Sequence, residues 1–97
     1  MSIIIDSERF IVVQDNIDVE LPKKQFELLR MLCRTPGNVY SRKKIFDEIW
    51  GGSPSKERTV DVHIVKLRRK LGPDIIRNIK GVGYKVTLRN VTLINGE

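Results

Sequence analysis

The 97-residue chain holds one cysteine, one histidine and one tryptophan, and aromatic residues make up only 6% of it. A lone cysteine forms no internal disulfide, and Cys33, set among Leu28, Leu29 and Leu32, reads as a buried core thiol in a reducing compartment. The single histidine, His63, excludes a histidine-based metal cluster or catalytic pair, and the carboxylates are not clustered. No catalytic residue, metal ligand or cofactor site is therefore expected, and an enzyme is the weakest reading. No apolar run approaches the ~18–20 residues of a membrane span, and no signal-peptide pattern opens the chain. Those absences predict a cytoplasmic protein with no membrane partner. Internal repeats and low-complexity segments are missing too. At this length one domain over residues 1–97 is expected, burying only about 60–65% of the surface its unfolded chain exposes.

Positive charge is abundant but unevenly spread. The formal net charge is +6 and the isoelectric point about 9.8. Residues 1–20 carry Asp6, Glu8, Asp15, Asp18 and Glu20 against Arg9 alone, a net of −4. The stretch Lys56–Arg89 holds ten Lys/Arg against three acids, a net of +7. An anionic partner is implied, and the C-terminal half is the part that meets it.

The apolar pattern divides the chain. Ile3–Ile5 and Phe10–Val13 read as short strands, and Gln14-Asp15-Asn16 as a turn before Ile17, Val19 and Leu21, which alternate with Asp18 and Glu20. That alternation predicts an N-terminal antiparallel sheet over 1–21 with one wet face. Pro22 opens a helix to about Arg34, with Phe26, Leu29, Leu32 and Cys33 inward and Thr35-Pro36-Gly37-Asn38 as its stop. Val39-Tyr40 suits a short strand. Ser41 is a natural N-cap for a second helix over Arg42–Trp50, with Ile45, Phe46 and Ile49/Trp50 inward. A Gly/Ser/Pro loop follows.

The third helix is the distinctive one. Over residues 57–71, Val60, Ile64, Leu67 and Leu71 make a core stripe at i, i+4, i+7, i+11. The opposite side shows Arg58, Val62, Val65, Lys66 and Arg69, with Arg68 on its flank. From Ile75 the period becomes extended, and two strands about Gly81-Val82-Gly83 predict a β-hairpin over 75–89. The glycines suit a tight turn better than a nucleotide loop, because no strand-to-helix context follows them. The tail, 90–97, can add a strand or fray. The whole is α+β: N-terminal sheet, three helices over 22–72, then a hairpin. A helix-turn-helix followed by a hairpin is a winged helix.

In order and spacing the sequence resembles the OmpR/PhoB-type effector domains of bacterial two-component response regulators. The matching text is Phe26-Glu27-Leu28-Leu29, Pro36-Gly37 with Ser41-Arg42, and Ile49-Trp50-Gly51. Most specific are Arg58-Thr59-Val60-Asp61-Val62-His63-Ile64, Leu67-Arg68-Arg69-Lys70-Leu71 and Gly81-Val82-Gly83-Tyr84. The resemblance implies sequence-specific binding to double-stranded DNA at direct repeats as a head-to-tail dimer, with a receiver domain in the parent protein. It also implies that the loop Gly52, Ser53, Pro54, Ser55 and Lys56 meets RNA polymerase or helps place the third helix. A plain connector is the equal alternative for that loop. The sequence departs from the pattern in four places. Pro22 stands where Ser or Thr usually caps, and Gln25 where Glu is usual, so the usual capping box cannot form. Val65 replaces a residue often basic, and Asn78 a common wing threonine.

The candidate DNA-binding set is Arg58, Thr59, Val62, His63, Val65, Lys66, Arg68 and Arg69 on the third helix, with Arg77, Asn78 and Lys80 on the wing. Arg58 sits at the N-terminal end of the helix, where groove-inserted helices usually touch DNA. Lys66 and Arg69 could each meet guanine O6/N7 or a phosphate. Val62 and Val65 suit thymine methyls better than water. His63 suits packing first and a phosphate contact second, and Asp61 suits orienting a cation or turning toward the scaffold. Asn78 and Lys80 are the minor-groove or phosphate candidates, Arg77 and Lys85 the backbone neutralisers, and Tyr84 the anchor of the wing. Two other classes compete: an RNA-binding module and a winged helix used only for protein interaction. RNA binders usually present exposed stacking aromatics, whereas Phe10, Phe26, Phe46 and Trp50 all fall at core-phase positions.

Overall fold

A computed structural model describes residues 2–51, 56–87 and 90–94. The elements run β1 (Ser2–Asp6), β2 (Ile11–Gln14), β3 (Ile17–Val19), α1 (Lys23–Arg34), α2 (Arg42–Ile49), α3 (Glu57–Leu71), β4 (Ile76–Ile79), β5 (Gly83–Val86) and β6 (Asn90–Ile94). None of the helices among the described residues is long and apolar enough to cross a membrane.

β2 and β3 meet through Asp15 and Asn16, both at positive φ (49° and 69°). Paired left-handed residues are what a two-residue hairpin turn matching strand twist demands, and Asp and Asn tolerate them best. Phe10 is the first departure from the expected strands. It lies in the left-handed region at φ 57°, before β2 begins, and is 43% exposed. Its ring nonetheless lies 4.1 Å from that of Phe26, so the left-handed turn lays it on the core from outside.

The N-terminal sheet is also not what the alternation predicts. Its order is β3-β2-β1-β6, and β6 runs parallel to β1, pairing Ser2 with Asn90 through Asp6 with Ile94. The tail is thus a strand over Asn90–Ile94, and β1 becomes an interior strand with neighbours on both sides. Nor is the second face of the sheet simply wet. Ile3, Ile5 and Val12 are fully buried, while Ile4, Ile11 and Val13, which point the other way, are half-buried. The runs Ile3–Ile5 and Ile11–Val13 are apolar at every position, so both faces are apolar there. Only β3 carries the acidic alternation.

α1 is central and packs against α2, α3, β5 and β6. It buries Gln25, Phe26, Leu28, Leu29, Met31, Leu32 and Cys33. Burial pushes the Cys33 thiol up to about 12, leaving it un-ionised and inert. Pro22 at its N-cap offers no side-chain hydrogen bond, and the buried Gln25 Oε1 has no partner among the described residues. That is the cost of the missing capping box. α2 is capped as expected, Ser41 Oγ accepting from Lys44 N at 3.1 Å. Lys24 Nζ donates to the Ile49 carbonyl at 2.8 Å and so satisfies its C-terminal end.

Candidate nucleic-acid interface

α3 buries Val60, Ile64, Leu67 and Leu71, the stripe that the spacing predicts. Gly72, at φ 112°, ends it by donating its N–H to the Arg68 carbonyl, and Gln14 Nε2 donates to the Leu71 carbonyl. With that stripe fixed, Arg58, Val62, Val65, Lys66 and Arg69 all stand exposed on the far side. Thr59 and His63 are half-buried on one flank, Asp61 and Arg68 on the other.

The wing is a two-stranded sheet with Ile76 opposite Val86, Arg77 opposite Lys85, Asn78 opposite Tyr84 and Ile79 opposite Gly83. β5 ends at Val86, earlier than expected, and Leu88 and Arg89 lie outside the described residues. Arg77, Asn78 and Lys80 are exposed and Lys85 half-buried. Two like charges directly opposite across a strand pair destabilise it unless an anion lies between them. Arg77 and Lys85 are such a pair.

Hydrogen bonds fasten this hairpin to α3 and to the segment between α1 and α2, where Gly37 N–H donates to the Val86 carbonyl at 3.0 Å. Tyr40 and Tyr84 exchange backbone N–H···O bonds of 2.9 Å in each direction, giving the wing a third, one-residue strand. The Tyr84 hydroxyl donates to Asp61 Oδ1 at 2.7 Å. Arg68 Nε and Nη2 both donate to the Ile76 carbonyl, at 3.1 and 2.8 Å. α3 thus holds the wing near its tip through Asp61 and at its base through Arg68. Burial, helped by the Asp61 hydrogen bond and charge, pushes the Tyr84 phenol up to about 12, so it stays a neutral donor.

The glycines divide their labour in a way the sequence does not reveal. Gly81, at φ 76°, supplies the turn and has open space around it. Gly83 supplies a close approach: a Cβ there would lie 2.0 Å from the Tyr40 carbonyl oxygen.

Asp61 accepts a second bond, from Arg42 Nη1 at 2.8 Å, and Arg42 Nε lies 3.8 Å from Glu57 Oε1. The sequence places Arg68 on the same side of α3 as Asp61, but the cation that Asp61 orients is Arg42 of α2. Arg42 was given no role from the sequence. Its signal is its place just after the Ser41 cap, where α2 can reach the acids that open α3. Asp61 hydrogen bonding and charge hold the Arg42 guanidinium above its usual value. Between these groups and the wing lies a cleft of about 420 Å³ lined by Ser41, Arg42, Asp61, Asn78, Lys80 and Tyr84, among others. Substituting Asp61→Ala strands the buried Tyr84 hydroxyl and should cost about 1–3 kcal/mol, whereas Asp61→Asn keeps an acceptor and should cost less. Urea unfolding of both variants checks this. An alanine effect within about 0.5 kcal/mol of zero, as at an ordinary surface site, would remove Asp61 from its anchoring role.

His63 sits with its ring centroid 5.1 Å from that of Trp50, which stacks on Phe46 at 5.6 Å. Burial, and then the Lys66 charge, lower its pKa, so the ring is held neutral. Its Nδ1 is buried and has no hydrogen-bond partner among the described residues. In the loop expected to meet RNA polymerase, Gly52, Ser53, Pro54 and Ser55 lie outside the described residues, and Lys56 is exposed.

Among the described residues no carboxylate neutralises the cations of this surface, and Lys23, Arg30 and Lys44 of α1 and α2 lack one as well. Arg9, Lys24, Arg34, Arg42 and Lys43 each have a carboxylate within 4.0 Å. Among the described residues no such partner exists for Arg58, Lys66, Arg69, Arg77, Lys80 or Lys85. Those six lie on α3 and the adjoining wing. The described residues also contain no His/Cys/Asp/Glu group able to hold a metal ion.

Comparison with known proteins agrees with this geometry. A family model described as "Transcriptional regulatory protein, C terminal" matches residues 16–86. The phosphate regulon transcriptional regulatory protein PhoB of Rhizobium meliloti is 39% identical over 87 residues, which cover 84% of this chain and 38% of PhoB. The chain thus spans little more than a third of the length of the curated relatives it matches. Among solved structures, the DNA-binding domain of Bacillus subtilis CssR matches at 30% identity with a TM-score of 0.79, covering 88% of this chain and 99% of that one. The RstA DNA-binding domain of Klebsiella pneumoniae, solved in complex with the RstA box, matches at 26% identity with a TM-score of 0.76, covering 84% and 87%.

Proposed function

We propose a function from one premise: this chain belongs to the family of transcriptional regulatory protein C-terminal domains, the winged-helix effector domains of OmpR/PhoB-type response regulators. The chain binds double-stranded DNA sequence-specifically as the output domain of a response regulator. Helix 57–71 enters the major groove and wing 75–89 lies on the minor groove and backbone. The observation that carries this reading is the set of six cations gathered on α3 and the adjoining wing, none with a carboxylate partner among the described residues.

The residues divide by position. Arg58, Val62, Val65, Lys66 and Arg69 face the groove, with Thr59 and His63 at its margin. Arg77, Asn78 and Lys80 meet phosphates or the minor groove, and a phosphate between Arg77 and Lys85 would relieve their repulsion. Arg68 acts by holding β4, since two of its N–H groups already serve the Ile76 carbonyl. Family membership supports the rest of the proposal. The chain, a single domain over 1–97, works in the cytoplasm beside a receiver domain in its parent protein. It binds direct repeats as a head-to-tail dimer and presents the 52–56 loop to RNA polymerase.

Selection of bound duplexes from a random pool tests the reading. A selected sequence recurring as spaced direct repeats is expected. A second measurement follows affinity against salt, where log K should fall by about 0.9 per phosphate contacted for each tenfold rise. A pool that yields no preferred duplex, affinity that hardly changes with salt, or tighter binding to single-stranded RNA would overturn it.

A further inference from the structure

Along its outer face α3 presents Arg58, Val62, Val65, Lys66 and Arg69, and the middle of that series is aliphatic. Val62 and Val65 are 47% and 44% exposed and lie opposite the buried stripe. Neither belongs to the core cluster nor packs against it. At an exposed helix position a β-branched residue is a poorer helix former than Lys or Arg. The fold itself therefore gains nothing from these two valines.

In a major groove, the apolar group that base edges present is the C5 methyl of thymine. Side chains at i and i+3 stand about 5–6 Å apart on a helix, and base pairs rise ~3.4 Å per step. A valine pair at this spacing spans methyls one or two steps apart. Arg58 and Arg69 lie four residues outside the pair on either side, about one helical turn away, where they meet guanines or phosphates.

We infer, resting on the DNA-binding reading, that Val62 and Val65 read two thymine methyls at the centre of each half-site. That part of the sequence is recognised by apolar contact, and the hydrogen-bonding cations bracket it. A basic residue at position 65 would instead require an acceptor there, so a relative carrying one prefers a different base.

The test uses the full chain and the duplex selected above, resynthesised with deoxyuridine in place of each thymine in turn. This removes a methyl group and leaves base pairing intact. About a fourfold loss of affinity, the worth of one buried methyl, is expected at two positions one or two steps apart. Val62→Ala should abolish the loss at one of those positions and Val65→Ala at the other. Both variants keep the helix, since alanine suits an exposed helix site, and thermal melting verifies it. Deoxyuridine that is neutral at every position, or losses unchanged in both alanine variants, would overturn the inference while leaving DNA binding intact. Failure to select any duplex would instead bring down the DNA-binding reading on which it rests.

Discussion

Gly83→Ala should cost about 4 kcal/mol or more and loosen the wing, although it adds only a single methyl group. The new Cβ would lie 2.0 Å from the Tyr40 carbonyl oxygen, 2.7 Å from its carbon and 2.9 Å from Ser41 Cα, and all three are backbone atoms. No rotamer change can make room, so the strand must retreat. Retreat breaks both Tyr40–Tyr84 backbone bonds and withdraws the Tyr84 hydroxyl from Asp61, leaving several buried polar groups unpaired at about 1–3 kcal/mol each. Loss on this scale is uncommon for a single substitution and marks a steric mechanism. Gly81→Ala is the control. Its Cβ meets open space, so only the left-handed backbone is penalised, at roughly 1–2 kcal/mol. Urea unfolding separates the two variants. If they prove equally costly, the approach to Tyr40 is not what holds the wing.

Removing residues 88–97 should cost on the order of 3 kcal/mol and make the protein prone to self-association. β6 covers the edge of β1 across five paired residues, and Val91 and Leu93 pack against the core. Without it, Ile3 and Ile5, now fully buried, gain exposure beside an unpaired row of backbone groups. Partial exposure of Ile3 and Ile5, together with the lost burial of Val91 and Leu93, accounts for about that energy, and an open, apolar strand edge is a template for pairing with another chain. A chain ending at Thr87 should melt earlier and elute as larger species at raised concentration. A truncated chain that melts with the parent would show β6 to be an ornament of the sheet. The family match ends at residue 86, so this strand lies outside the region shared with the family model.

The N-terminal sheet shows where reading from sequence stopped. The three first strands and the Asp15-Asn16 turn were legible, because β-branched runs and turn residues are local signals. Two features were not. Strand pairing between Ser2–Asp6 and Asn90–Ile94 joins opposite ends of the chain, and nothing in either segment names the other. Phe10 looked like the first residue of a strand, but the turn before β2 places it in the left-handed region. It therefore covers Phe26 from outside and stays 43% exposed.

By itself the sequence determined α3: its buried stripe, its cationic outer face and its glycine stop follow from helical periodicity and from Gly72. It also determined the order of elements and the separation of acid from base. The tertiary structure alone decided which charges are free. Arg42 and Arg68 look as available as Arg58 or Arg69 in the chain, yet one is bound to Asp61 and the other to the Ile76 carbonyl. It alone separated Gly83, needed for contact with Tyr40, from Gly81, needed for the turn. The physical reason is common to these cases. Periodicity states which side of an element is dry, whereas a hydrogen bond or a steric limit depends on what another element brings within 3 Å of it.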